Sequence, residues 1–541
     1  MKQLELTVLL CTIWALTLLY GEMFAYWVPS LFTCSWPHLL RSPPSNSTSQ
    51  TNSEGYQADY VKVAIIADPQ LMDKTSLGLP PKSLALEIAE FYTDINMRRS
   101  FFASILPFKP DVIIFLGDYF DGGPYLSDEE WQESLRRFKH IFGLNEQGKY
   151  ADMQVYYIPG NHDIGYSSLH SQRPEVIRRY EETFGIRNYR FSIGEVDFIA
   201  VDAQTLDGHP QKQLTSETWL FAKNVSIDGE VHPRVLLIHI PLYRRDDTYC
   251  GPDRSSPSIN QRVSRTAIHN EITYQNYVSE MSSKNLLDMT KPMHILSGHD
   301  HDQCTVTHQS KFGPVKEHTL GTISWQQGNL YPSFMLLSVR NSSLPDASSS
   351  EDALLTQLCF LPMQARIYIW YLVLFALTIL ALLFWPTSGT SLWHQCGNSL
   401  GYTRQLLTFN LFGGATKEKD EDANYEYEMM WDAEGSMHLV KKPLSASIVN
   451  SSERKLGERG NAVMRPTARK QTSPEGDVSL NVDMASGIGF DPTARIPPRL
   501  GKSKTKFIIQ RLLRALKILI VIAAVNVPLY MMLLFKDWID K

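Results

Sequence analysis

Three long apolar runs frame the chain. Leu6 to Val28 is interrupted by a single charge, Glu22. At 1.5 Å rise per residue, this run can cross a hydrocarbon core of roughly 30 Å. A cleaved signal peptide is the alternative, but apolar residues continue through Met23–Val28 where a small-residue cleavage site would lie. Ile367 to Trp385 carries no charge and places Tyr368, Trp370, Tyr371 and Trp385 near its ends, like an interfacial aromatic belt. Ile518 to Phe535 contains Asn526 and Pro528, which leave a re-entrant segment open beside a full crossing. The expected transmembrane helices are thus 6–28, 367–385 and 518–535.

Between the first two runs the pattern changes to short buried-type strands. Val61–Ala67, Asp111–Leu116, Gln154–Ile158, Arg234–Ile238 and Met293–Leu296 are each of strand length, and a polar, metal-capable residue follows at or near the end of each. Helical periodicity intervenes at Ser83–Leu106 and Asp128–Phe142. Alternating strands and helices predict an α/β core, in which ligands gather beyond the carboxyl ends of strands. The expected organisation is a tether over 29–59, a catalytic-type domain over 60–345 and a linker over 346–366. Residues 386–517 are rich in Ser, Gly, Pro and mixed charge, and read as a largely disordered loop.

Charge orients these parts. Arg495, Arg499, Lys502, Lys504, Lys506, Arg511, Arg514 and Lys517 precede the third run, which makes that side cytosolic and the 60–345 domain luminal. With 52 basic and 57 acidic residues, the net charge of −5 gives no case for a nucleic-acid partner. Six cysteines in 541 residues exclude a disulfide-dense scaffold. Cys34, Cys250, Cys304 and Cys359 would meet an oxidising lumen, where a Cys250–Cys304 bridge could staple the stretch after Tyr243. The sequons at Asn46, Asn224 and Asn341 fall in the luminal part and are candidate glycosylation sites, whereas that at Asn450 does not.

The strand ends supply Asp68, Gln70, Asp118, Asn161, His162, His239, His299 and His301. Phosphate-ester hydrolysis needs positive charge at the phosphoryl oxygens and an activated water, which two divalent ions about 3.5–4 Å apart provide. Asp118 is the obvious bridging carboxylate. Imidazole and carboxylate donors suit Mn, Fe and Zn, and the oxygen-rich set favours Mn²⁺, with Zn and Fe as alternatives.

Asp68-Pro69-Gln70, Gly117-Asp118-Tyr119-Phe120-Asp121, Gly160-Asn161-His162-Asp163, His239 and Gly298-His299-Asp300-His301 resemble, in order, the motifs of calcineurin-like metallophosphoesterases. The resemblance covers about residues 60–340. It implies a two-sheet β-sandwich flanked by helices, here with transmembrane helices at both ends, and a dinuclear site at one sandwich edge. It assigns Asp68 and His301 to the first metal, Asn161, His239 and His299 to the second, and Asp118 to both. His162 would serve the leaving oxygen, with Asp163 orienting it. Where the family has Asp-x-His, this chain has Gln70, whose carbonyl oxygen would make the first site harder and looser.

A narrower similarity appears in Asp68–Leu71, His239–Arg244 and Gly321–Trp325. These segments look like the membrane-bound phosphodiesterases that remodel GPI anchors. That branch implies removal of ethanolamine phosphate from a GPI mannose with Mn²⁺ in the endoplasmic reticulum or early Golgi. The partners would be GPI glycolipids, GPI-anchored proteins and membrane lipids, and the outcome would be export of anchored cargo. Arg244 and Arg245 are the candidate substrate-binding residues. The alternatives are another phosphoester substrate or a catalytically inactive cargo tether.

Overall fold

The computed structural model describes residues 3–40, 60–144, 153–170, 172–229, 232–257, 260–326, 328–341, 353–385, 425–431, 437–443 and 504–539. Asn46, Asn450 and the Ser/Pro-rich stretch 42–56 lie outside the described residues. Two units are distinguished, 1–385 with 512–541, and 386–511.

The first unit is built on two sheets. The first has the order β13-β12-β1-β2-β3, with β1 Tyr60–Ile66, β2 Val112–Phe115, β3 Gln154–Tyr157, β12 Ser333–Arg340 and β13 Leu354–Phe360. The second has the order β10-β11-β9-β6-β5-β4, with β4 Tyr189–Ile193, β5 Val196–Ala200, β6 Arg234–Leu237, β9 His294–Ser297, β10 Cys304–Ser310 and β11 Gly313–Thr319. A small hairpin pairs β7 Val263–Arg265 with β8 Ile272–Gln275. The central strands β1, β2 and β3 are parallel, as are β5, β6, β9 and β11.

Strand residues alternate between two dry layers, as a period of two requires. Val63 and Ile65 point between the sheets with Val112, Ile114, Val235, Leu237 and Met335. Ala64 and Ile66 point outward to an aromatic layer containing Phe101, Phe115, Phe138 and Trp131. Ile199, Leu236 and Ile295 form the corresponding outer layer of the second sheet. Helices α2 Leu84–Arg99 and α3 Asp128–Ile141 cover the first sheet, and α4 Gln213–Ile227 and α5 Glu280–Thr290 cover the second. Ser127 and Glu130 form a reciprocal cap that starts α3. Burial on both faces explains why these strands read as continuous apolar runs.

Among the described residues, three helices are long and apolar enough to cross a membrane: α1 Gln3–Thr33, α6 Gln364–Phe384, and residues Ile508–Trp538 of α7 Lys504–Trp538. The helix α7 passes through Pro528 without interruption, so the re-entrant alternative for the third run is replaced by one continuous helix. Leu6 and Leu10 pack with Leu382, Ala515, Ile518 and Ile522 at one end of the bundle. At the other end Tyr371 donates to Glu22 at 2.8 Å. Midway, the Trp14 indole donates to Thr378 at 3.0 Å. Thus α1 and α7 run parallel and α6 antiparallel.

Two expected connectors are structured. The linker over 346–366 contains β13, paired antiparallel with β12 along the edge of the first sheet. The tether over 29–59 begins inside α1, and its Cys34 is bridged to Cys359 of β13. A second disulfide joins Cys250 and Cys304. In the 386–511 unit, Tyr425–Trp431 and Met437–Pro443 pair as an antiparallel hairpin within the stretch expected to be largely disordered. Asn224 is exposed on α4, and Asn341 is exposed after β12.

Candidate metal centre

Parallel strands deliver their carboxyl ends to one edge of the sandwich. Asp68 follows β1, Asp118 follows β2, Asn161 and His162 follow β3, His239 follows β6, and His299 and His301 follow β9. The turns after these strands are tight. Among the described residues, eleven non-glycine residues have positive φ, and five of them are Asp68, Gln70, Asp118, His299 and His301. Left-handed backbone is unfavourable for such residues and persists where surrounding structure enforces it. Two glycines permit the crowding. A Cβ at Gly160 would lie 2.1 Å from Asp118 Oδ1, and one at Gly117, whose φ is +94°, would lie 2.6 Å from His239 Nδ1.

Two overlapping donor groups result. Asp118, His239 and His299 each offer an atom within 4.8 Å of the others, and so do Asp68, Asp118 and His301. Asp118 belongs to both. His239 Nδ1 lies 2.7 Å from the Leu116 carbonyl, so the ring donates there and turns Nε2 inward as an acceptor. That Nε2 sits 3.1 Å from Asp118 Oδ2 and 3.1 Å from Asn161 Oδ1. Three lone-pair atoms therefore converge, an arrangement that needs a cation or an added proton between them. His299 Nε2 lies 3.0 Å from the Gln275 carbonyl, which assigns its Nδ1 to the site side. His301 Nε2 is buried with no hydrogen-bond partner. Asp68 and Asp118 are fully buried. This donor set fits a pair of divalent cations.

Gln70 is fully buried, and its amide nitrogen lies 3.2 Å from Asp118 Oδ2. Its side chain therefore reaches the bridging carboxylate. Asp163 departs from expectation. Its carboxylate accepts the backbone N–H groups of Asp118, Gly160 and Tyr119, each at 2.8 Å, and so clamps the two metal-binding turns together. Asp121 takes the role expected of Asp163. Its carbonyl accepts from His162 Nδ1, and its carboxylate stands 3.7 Å from the same nitrogen. Ser76 in turn donates to Asp121 at 2.5 Å. Asp121 lies three residues beyond Asp118, and that proximity in the Gly117–Asp121 turn was the only sequence signal for it.

The arginines also separate. Arg244 is buried, pairs with Asp300 at 3.5 Å and Glu317 at 3.7 Å, and lies over the Tyr277 ring. It braces the loop between His299 and His301 instead of lining a substrate surface. Arg254 joins it on Asp300 at 2.8 Å. No local pattern marked that pairing, because the partners are 46 residues apart. Arg245 is exposed.

The electrostatics reflect crowded carboxylates. Burial pushes Asp68 up to about 8, with Asp118 adding to the effect. Burial opposes charge on His239, yet the Asp118 and Asp68 carboxylates prevail and raise it to about 9. Burial lowers His301 to about 4, which keeps it a neutral donor. His162 is raised above the usual histidine range because Asp118 and Asp121 outweigh its burial.

Residues 61–303 match the family described as Calcineurin-like phosphoesterase. The chain is 28% identical over 348 residues to Cell division control protein 1 of Saccharomyces cerevisiae, covering 61% of this chain and 67% of that protein. It is 27% identical over 387 residues to Metallophosphoesterase 1 of Gallus gallus, covering 68% and 86%. A purple acid phosphatase from yellow lupin (Lupinus luteus) aligns at 11% identity with a TM-score of 0.31, over 52% of this chain and 49% of that one. Residues 61–303 are thus a calcineurin-like metallophosphoesterase domain, a phosphoester hydrolase whose fold works through two metal ions.

Proposed function

We propose that this domain is a membrane-anchored phosphodiesterase that removes ethanolamine phosphate from a mannose of GPI anchors. The supporting observation is a two-metal donor set in a domain fastened to three apolar helices. The similarity to Metallophosphoesterase 1 and to the yeast cell-division-control protein adds support. The basic residues before α7 favour a luminal domain, and export of GPI-anchored cargo from the endoplasmic reticulum to the Golgi is the expected consequence.

Asp68, Gln70 and His301 would hold one ion, Asn161, His239 and His299 the other, and Asp118 both. Bound divalent ions supply positive charge to the phosphoryl oxygens and acidify the attacking water. Mn²⁺ suits the carboxylate and amide oxygens of the first position. His162 keeps Nδ1 on the Asp121 carbonyl, so Nε2 is the nitrogen that can protonate the departing sugar oxygen. Its raised pKa favours the protonated form that this role requires.

The test is to incubate the purified full chain and Mn²⁺ with a GPI glycolipid carrying the side group. Mass spectrometry should show loss of one ethanolamine phosphate. Hydrolysis of bis(p-nitrophenyl) phosphate with an untouched glycolipid would assign the enzyme another phosphoester. Failure on both with two ions bound would favour the inactive tether.

A further inference from the structure

Residues 322–326 lie between β11 and β12, beyond the segment 61–303 that matches the family. They run alongside the turn that follows β1. The Ile323 N–H donates to the Ala67 carbonyl at 3.1 Å. The Thr322 hydroxyl donates to the next carbonyl, that of Asp68, at 2.5 Å. The Thr322 N–H donates to the His301 carbonyl at 3.1 Å. The Gln326 side-chain amide donates to the Gln70 carbonyl. One short segment thus holds the main-chain carbonyls of Asp68, Gln70 and His301.

With the shared Asp118, those three residues are the ligands assigned above to the first ion. Each has positive φ, at +49°, +39° and +59°. Left-handed backbone is costly for a residue with a Cβ and relaxes unless neighbouring groups oppose it. A hydrogen bond to a residue's carbonyl fixes the peptide plane that follows it, and with that plane the direction of its Cβ. Without these bonds, Asp68, Gln70 or His301 would turn its donor out of the cluster. The second ion's ligands are steadied by other groups. His239 rests on the Leu116 carbonyl, His299 on the Gln275 carbonyl, and the Gly160–Asn161 turn on the Asp163 carboxylate.

The segment is itself firmly held. Thr322 and Ser324 are fully buried, and Ile323 packs into the aromatic layer of the first sheet. The Thr322 hydroxyl also accepts the Ser324 N–H at 2.9 Å, and the Thr322 carbonyl accepts the Ser333 N–H at 3.3 Å. A methyl in place of that hydroxyl would take away one partner each from the Asp68 carbonyl and the Ser324 N–H.

We propose that Thr322 and Gln326 are positioning residues for the first metal ion. They hold Asp68, Gln70 and His301 in the backbone conformation that aims their donors at it, and so set its affinity separately from that of the second ion. This role rests on the two-ion assignment above and on no particular substrate.

The experiment titrates the metal-free full chain in detergent with Mn²⁺ alone, followed by calorimetry and by electron paramagnetic resonance. Wild type should bind two ions and, when loaded, give the spectrum of an exchange-coupled pair. Thr322→Val and Gln326→Met should each weaken one ion about 10- to 100-fold and leave the other unchanged. At a Mn²⁺ concentration that fills only the tighter position, both variants should show an isolated ion. Thr322→Ser, which keeps the hydroxyl, should restore the coupled pair. If Thr322→Val does not fold, Gln326→Met carries the same expectation, because Gln326 is only half-buried. Equal weakening of both ions, as general loosening would give, overturns the proposal, and so does unchanged affinity for both. A wild type that binds a single ion overturns it together with the two-ion assignment. Split affinities in a chain that leaves the GPI glycolipid intact would uphold the positioning role and refute the GPI reading alone.

Discussion

Two buried charged clusters in this protein are built on opposite principles. At the metal centre, Asp68, Asp118, Asn161 and His239 bring acceptors face to face, with Asp68 and Asp118 held on left-handed backbone. At the junction with the apolar helices, Arg99 lies between Glu22 and Asp537, and Tyr371 completes the Glu22 carboxylate. Those groups sit on helices, Glu22 in a π-helical turn, and donors meet acceptors. The junction is satisfied by its own hydrogen bonds and so belongs to structure. The metal centre is unsaturated by its own side chains, which is the mark of a site awaiting a ligand.

Removing the shared carboxylate should break the first cluster most severely. Asp118→Asn is expected to lower hydrolysis of a soluble phosphodiester about 10,000-fold, ~5 kcal/mol of transition-state stabilisation. Elemental analysis should show loss of both ions. Wild-type turnover with two bound ions would end the assignment. The junction should respond in stability instead. Arg99→Gln leaves Glu22 buried without its cation and should destabilise by about 3–5 kcal/mol, read by thermal unfolding in detergent. Adding Glu22→Gln should recover part of that loss while kcat stays unchanged. If both clusters affect kcat alike, the distinction fails.

A divalent ion at 100 times its Kd should stabilise the wild type by about 2.7 kcal/mol, and the Asp118→Asn variant much less. The smallest effect is on proton transfer. Asp121→Asn should lower kcat roughly 30-fold, because His162 keeps the backbone carbonyl on Nδ1 but loses the carboxylate charge 3.7 Å from it. Since Asp121 helps raise the His162 pKa, its loss lets the imidazolium deprotonate sooner. The alkaline limb of the kcat profile should therefore move to lower pH. An unmoved limb would make Asp121 a purely steric support.

Much of the metal centre was legible because strand and turn chemistry are local. An apolar run ending in Gly117-Asp118, or in Gly160-Asn161-His162, states where a chain stops extending and what it presents there. Other features depended on partners distant in sequence. Leu354–Phe360 resembled an approach to the membrane, and became β13 because β12 had an open edge and Cys359 met Cys34. Arg244 followed a ligand histidine closely enough to suggest substrate binding, but Asp300 and Glu317 draw it into the interior. Asp163 was expected to steady its neighbour, yet three backbone amides occupy its carboxylate.

By itself the sequence determined the kinds of element, the apolar helices and the polar residues at the strand ends, since short-range periodicity and turn stereochemistry set these. Only the tertiary structure decided which acceptors face one another and which arginines are buried. Those outcomes rest on contacts between residues tens to hundreds of positions apart, whose energies exist only once the sheets and helices have packed.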